Sequence, residues 1–168
     1  MSKVITLAIV LLVVVTACSQ QGEAQKSGPP AWQAPPSKSI TAADIAKLKW
    51  IEGTWKGMDG DKPFYERYKI DGTTMIVETL KADGTLDGEP DRFELKNGEF
   101  GKGEEDKRSA ASEITADYVQ FVPAVTGKSN SFRFHRQGDG TWHALLEWTG
   151  KDGKPQQKIY KMEPWQPK

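Results

Sequence analysis

Phe64-Tyr65-Glu66-Arg67-Tyr68-Lys69-Ile70, followed at once by Asp71-Gly72, is the stretch that decides the fold. Phe64, Glu66, Tyr68 and Ile70 share one face of an extended chain, and Tyr65, Arg67 and Lys69 share the other, the period of a half-buried strand. Asp71-Gly72 then supplies the positive φ angles of a hairpin turn. The same pattern recurs down the chain. Phe132 and Phe134 alternate with Arg133 and His135, and Trp142, Ala144, Leu146 and Trp148 alternate with His143, Leu145 and Glu147. Asp59-Gly60, Asp83-Gly84, Asn97-Gly98, Asp139-Gly140 and Asp152-Gly153 mark further turns between strands. No helical run long enough for a crossover connection follows Gly53. A meander of about eight to ten strands leaves two adhesive edges unless it closes on itself. The expected architecture is therefore all-β: an up-and-down antiparallel barrel with a short N-terminal helix across its entrance or base. A two-sheet sandwich is the alternative.

Upstream of the strands, Thr41-Ala-Ala-Asp44 has the form of a capping box. Ile45, Leu48 and Trp50 give the following helix one apolar side, and it should end near Glu52-Gly53. From Ser19 to Ser39 the chain is rich in Gln, Ser, Gly, Pro and Ala, a composition unable to bury enough apolar surface to offset its ordering entropy. It reads as a tether, with Trp32 its one large apolar residue. Ahead of it lie Lys3, the aliphatic run Val4 to Val15, and the small residues Thr16-Ala17 before Cys18. That run is short of the ~20 residues a membrane-spanning helix needs and has the form of a secretory signal.

Val15-Thr16-Ala17-Cys18 resembles the lipobox of bacterial lipoproteins. The resemblance implies cleavage before Cys18, diacylglycerol on its sulfur and acylation of the new amino terminus. Ser19 after the cysteine favours, by analogy with enterobacterial sorting, the periplasmic face of the outer membrane. The expected organisation is a signal peptide over 1–17, a lipidated cysteine and tether over 18–40, and the barrel domain over 41–168.

Composition narrows the function. Lys and Arg number 23 and Asp and Glu 23, giving a formal net charge of zero. The two signs are interleaved throughout, without the basic stripe of a nucleic-acid binder. Cys18 is the one cysteine, so its acylation leaves no thiol for a disulfide, a zinc site or a nucleophile. No nucleophile elbow, phosphate loop or paired-cysteine motif occurs, and the expected role is non-enzymatic, with no cofactor. His135 and His143 lack a metal-ligand spacing. The expected partners are the bilayer, through acylated Cys18, and a small apolar or amphipathic ligand; no protein partner is assigned.

Gly53-Thr54-Trp55-Lys56-Gly57 resembles the Gly-x-Trp opening of the calycins, the lipocalins and fatty-acid-binding proteins. In those folds the Trp packs across one end of the barrel, often under an Arg from a late strand. Lys158-Ile159-Tyr160-Lys161-Met162 is similar to the closing Arg-x-Tyr strand of fatty-acid-binding proteins, with Lys158 in the Arg position. The longer series Trp50-Ile-Glu-Gly-Thr-Trp55, Glu66-Arg67-Tyr68, Gly72-Thr-Thr-Met75, Asn130-Ser-Phe-Arg-Phe134 and Trp142-x-Ala144 resembles the lipocalin-like domains of bacteria known as the DUF6265-like group. That resemblance spans residues 45 to 163 and implies architecture, not an activity. Gly53-x-Trp55-x-Gly57 also fits the start of the nitrobindin group, which would imply haem held through His143, although Met58-Asp59-Gly60 departs from that group's continuation.

Small barrels either fill their interior or keep room for one ligand. Lys158 and Tyr160, with Arg133, are the candidates for gripping an anionic head group. Phe132, Phe134 and Trp142 are the candidates for surrounding an apolar tail, and Trp55 for closing the cavity floor. Glu66, in line with Phe64 and Tyr68, and Glu78, in line with Ile76 and Leu80, would otherwise be structural ion pairs with Arg or Lys. The charged run Lys102 to Arg108 reads as an exposed loop or strand rim.

Overall fold

The structure, a computed structural model, describes residues 39–167. The signal segment, Cys18, Trp32 and most of the tether lie outside the described residues. The chain opens with helix α1 (Ala42–Ala46), which tightens into a 3-10 turn over Lys47–Ile51. The capping box is present: Asp44 N donates to Thr41 Oγ1 at 3.3 Å, and Thr41 N donates to Asp44 Oδ2 at 3.0 Å. Ten strands follow: β1 (Gly53–Asp59), β2 (Lys62–Asp71), β3 (Thr74–Leu80), β4 (Asp91–Lys96), β5 (Glu99–Lys102), β6 (Ser109–Ile114), β7 (Tyr118–Pro123), β8 (Ser131–Arg136), β9 (Trp142–Thr149) and β10 (Pro155–Pro164). Each pairs antiparallel with its sequence neighbours, and β10 returns to β1, closing an up-and-down calycin-like barrel. Closure leaves no sheet edge within it.

The Asp-Gly and Asn-Gly turns sit where the alternation ends. Gly72 (φ 58°) turns β2 into β3, and Asn97 (φ 53°) with Gly98 (φ 80°) turns β4 into β5 with both central residues left-handed. One irregularity matters for the core. The pairing of β6 with β7 shifts between Ala111 and Glu113, leaving Ser112 as an extra residue. The shift changes the inward parity, so that Ile114 joins the core and Glu113 faces solvent.

Helix α1 and its 3-10 extension cover the end at which β1 begins. Ile45, Leu48 and Ile51 are fully buried there. Ile40 N donates to Gly98 O at 2.8 Å, and Glu52 Oε1 accepts Ile70 N at 2.9 Å, tying the cap to the β4–β5 turn and the end of β2. Below the cap lies an aromatic floor. Trp55 Nε1 donates to Ile51 O at 2.8 Å. Trp142 meets Trp50, Trp55, Tyr68 and Phe134 edge to face, with centroids 5.1–6.4 Å apart. Such pairs add about 0.5–1.5 kcal/mol each beyond their burial. Truncating Trp142 to Ala should therefore lower unfolding free energy by about 3–5 kcal/mol in urea denaturation, whereas Trp142→Phe should retain most of the stability.

Candidate functional site

The end opposite the cap is open. A cavity of about 780 Å³ enters the barrel there, within the ~300–1,000 Å³ range of small-molecule sites. Its wall is mostly apolar: Phe64, Phe93, Phe132, Leu146 and Tyr160 at mid-depth, and Val77, Phe134, Ala144 and Met162 nearer the floor. Gly57 helps shape it, because a Cβ at that position would come within 2.2 Å of the Phe64 ring. The rings are mutually packed; Phe121 stacks on Phe132 at 4.7 Å, and Phe64 meets Tyr160 edge-on at 5.2 Å.

The rim is charged. Strand ends and the β1–β2 and β5–β6 connections bring Asp59, Lys62, Asp91, Lys102 and Lys107 to the opening. Two of the ammonium groups near it are engaged: Lys102 binds Asp91 at 2.5 Å, and Lys158 binds Asp59 across the β10–β1 seam. The hydrogen bond from Lys158 to Asp59 raises the lysine's pKa and keeps it charged. Among the described residues, Lys62 and Lys107 have no carboxylate within 4 Å.

Inside the apolar wall sits one carboxyl group, Glu66. Tyr68 Oη donates to Glu66 Oε2 at 2.7 Å, and no ion pair reaches Glu66 among the described residues. Burial pushes its pKa up, as does the Asp91 charge more weakly, while the Tyr68 hydrogen bond and the Lys102 charge pull it back; the net shift is upward. Tyr68 is buried beside this carboxyl and is held in its neutral, hydrogen-donating form.

Phe132, Phe134 and Tyr160 line the cavity, as their strand parity implied. Trp55 and Trp142 lie in the core beneath it, 8% and 1% exposed, and form its floor instead of its wall. Two sequence expectations need correction. Arg133 lies on the outer face, its Nε donating to Gln120 Oε1 at 2.8 Å and its guanidinium over Tyr118, because it alternates with the inward Phe132 and Phe134. Lys158 is inward in parity but sits at the rim, over the Tyr160 ring and tied to Asp59, away from the floor that Trp55 helps to form. Instead of a basic residue, Trp142 packs against Trp55.

The two acidic candidates part ways. Glu78 is an outer-face ion pair, bonded to Arg67 at 2.5 Å and Lys69 at 3.1 Å. Glu66 takes a phenol, not a cation, as its partner. His143 alternates with the inward Trp142 and Ala144, and His135 pairs with it across β8 and β9, so neither histidine lines the cavity. Haem ligation inside the barrel through His143 does not fit this placement. Among the described residues no group of three His, Cys, Asp or Glu side chains is placed to hold a metal, and no helix is long and apolar enough to cross a membrane. Sequence reading assigned no site role to Asp59, Lys62 or Asp91, and placed Lys102 and Lys107 in an exposed loop or strand rim without linking them to the cavity. The run from Lys102 to Arg108 is at the rim, and its parity with the buried Phe100 was the available signal that Lys102 turns inward.

The fold and cavity define an open-mouthed calycin-like barrel. No protein-family model, curated protein or solved structure matches the chain.

The Glu66 shift has a definite sign in folding. The unfolded carboxyl titrates near 4.5, and the folded one higher. Between those values folding binds a proton, so the stability that Glu66 contributes is fully present below pH 4.5 and is lost as pH rises through the folded pKa. Wild-type stability relative to Glu66→Gln should therefore fall as pH rises above 4.5 and then level off, which parallel denaturation curves across pH will check.

Proposed function

We propose that this chain is a lipoprotein of the cell envelope, acylated at Cys18, whose barrel holds a small apolar or amphipathic molecule in a non-catalytic role. The open cavity of about 780 Å³ carries the reading. A barrel serving only as a structural or docking element gains by filling its interior, because an unfilled volume forfeits packing contacts. Here the lower half is packed around Trp55 and Trp142, and the upper half is open and lined by aromatic rings. That division suits a binding site built on a rigid base. The lipobox-like Val15-Thr16-Ala17-Cys18 supports the anchoring, and Ser19 supports the outer membrane as destination. Two acyl chains or more suffice for stable attachment, at about 0.8 kcal/mol per buried methylene.

Two measurements test the two halves of the proposal. Intact mass of the chain extracted from bacterial membranes should give a species beginning at Cys18 and carrying acyl mass, and Cys18→Ser should abolish both the acyl mass and cleavage before residue 18. Native mass spectrometry of the same extract, without delipidation, should show one small molecule per barrel. Leu146→Trp, which fills the mid-depth wall, should reduce that occupancy by about tenfold without lowering the melting temperature. An empty wild-type barrel that takes up no amphiphile when challenged would end the binding reading.

A further inference from the structure

The cavity has charged groups at its rim and a single carboxyl, Glu66, within its apolar wall, with Ser109, Ser129 and Asn130 as further polar lining, and this restricts what can occupy it. At the rim, four ammonium groups (Lys62, Lys102, Lys107 and Lys158) stand against the two carboxylates of Asp59 and Asp91. Asp91 and Asp59 are taken by Lys102 and Lys158, leaving Lys62 and Lys107 to face the opening. Lower down, the apolar wall of Phe64, Phe93, Phe132 and Leu146 is interrupted by Glu66. Lys62 and Glu66 lie on the same strand, β2, four residues apart, or about 13 Å along it at ~3.3 Å per residue.

We infer that the site is built for an anionic amphiphile that carries a hydroxyl or amide part-way along its apolar body. The inference deepens the binding reading above and rests on it. The acidic head would stay at the rim, against Lys62 and Lys107, because driving it inward would set it against the Glu66 carboxyl. The body then runs down the aromatic wall past Glu66. Glu66 Oε2 already accepts from Tyr68, while Oε1 receives no hydrogen bond among the described residues. An unbroken hydrocarbon would cover Oε1 and leave it without a partner, a costly arrangement for a carboxyl group. A hydroxyl or amide N–H at that depth satisfies it. The hydroxyl serves either protonation state of Glu66, as donor to the carboxylate or as acceptor from the acid.

The test uses the full acylated chain in bilayer discs of fixed lipid composition, so that partitioning into lipid is the same for every variant. Three probes compete against a fluorescent amphiphile: stearate, stearate with a mid-chain hydroxyl, and stearylamine. The wild type should favour the hydroxylated acid over stearate by about tenfold, the scale of one hydrogen bond to a carboxyl group. Glu66→Leu, which suits the apolar wall, should erase that preference, and Glu66→Gln should keep part of it. Lys62→Ala combined with Lys107→Ala should weaken both acids alike and leave their ratio unchanged. Equal binding of the two acids, a hydroxyl preference that survives Glu66→Leu, or tightest binding by stearylamine would each overturn the inference while leaving the binding reading intact. Failure of all three probes would remove the binding reading itself.

Discussion

The barrel depends on how its first and last strands are joined. β1 and β10 share two register pairs, Trp55 with Pro164 and Lys56 with Glu163, extended by one further bond from Trp165 N to Thr54 O at 2.9 Å. By comparison, β9 and β10 share eight pairs. Backbone pairing at this seam, which joins the first strand to the last, is as short as that between β5 and β6, which also share two pairs. What reinforces it lies inside: Trp55, projecting from β1, is wedged against Trp142 from β9 and bonded to Ile51 of the cap. Met162 of β10 is fully buried beside this cluster. The seam is thus closed by packing on its inner side, and the helical cap is part of the closure.

Concentrating the packing at the floor is what permits space above it. Aromatic rings from β1, β2, β8 and β9 meet around Trp142, and even its Nε1 is buried without an acceptor among the described residues. An unmet donor costs about 1–3 kcal/mol, which close ring packing must offset. Nearer the mouth the seam is crossed by the Lys158–Asp59 ion pair instead. Exposed pairs of this kind contribute little to stability. The structure therefore grades from a dense, apolar end to a loosely held, charged one, and the cavity occupies the transition.

That gradation explains which features could be read in the sequence. Alternation and Asp-Gly turns are local, and they revealed the strands, the closed meander and the inward faces of Phe132, Phe134, Tyr160 and Trp142. Depth within the barrel is not local. It depends on strand tilt and stagger, so Lys158 and Trp55 both have inward parity, yet one lies at the rim and the other at the floor. Arg133 shows the opposite lesson: the alternation that made Phe132 and Phe134 inward already required Arg133 to face out. The partners of Glu66 and Glu78 depended on register between β2 and β3. Arg67 stands opposite Glu78 on the outer face, which satisfies Glu78 and leaves Glu66 on the inner face without an ion pair among the described residues. Ser112, the extra residue in β6, carries no signal of its own in the sequence; the core position of Ile114 follows from a shift in pairing.

Glu66 is the position at which packing of the wall gives the least account of the residue present. It is flanked on its face by Phe64 and Tyr68, and its cross-strand neighbour on β1 is Trp55. An apolar side chain there would join the wall without desolvating a carboxyl, and replacing buried ionisable groups by packed apolar ones is often neutral or stabilising. Retaining the acid raises its pKa and ties the Tyr68 hydroxyl to it. The Tyr68 ring packs on Trp142 at the floor, whereas the Glu66 carboxyl neither bonds to the cap nor crosses the β1–β10 seam. Glu66 thus satisfies the buried Tyr68 hydroxyl with one oxygen, while its other oxygen, without a hydrogen bond among the described residues, is the part that the proposed ligand would account for. On the proposed binding reading, the interior carboxyl, more than the aromatic lining, is the feature that would separate a selective site from a merely hollow barrel.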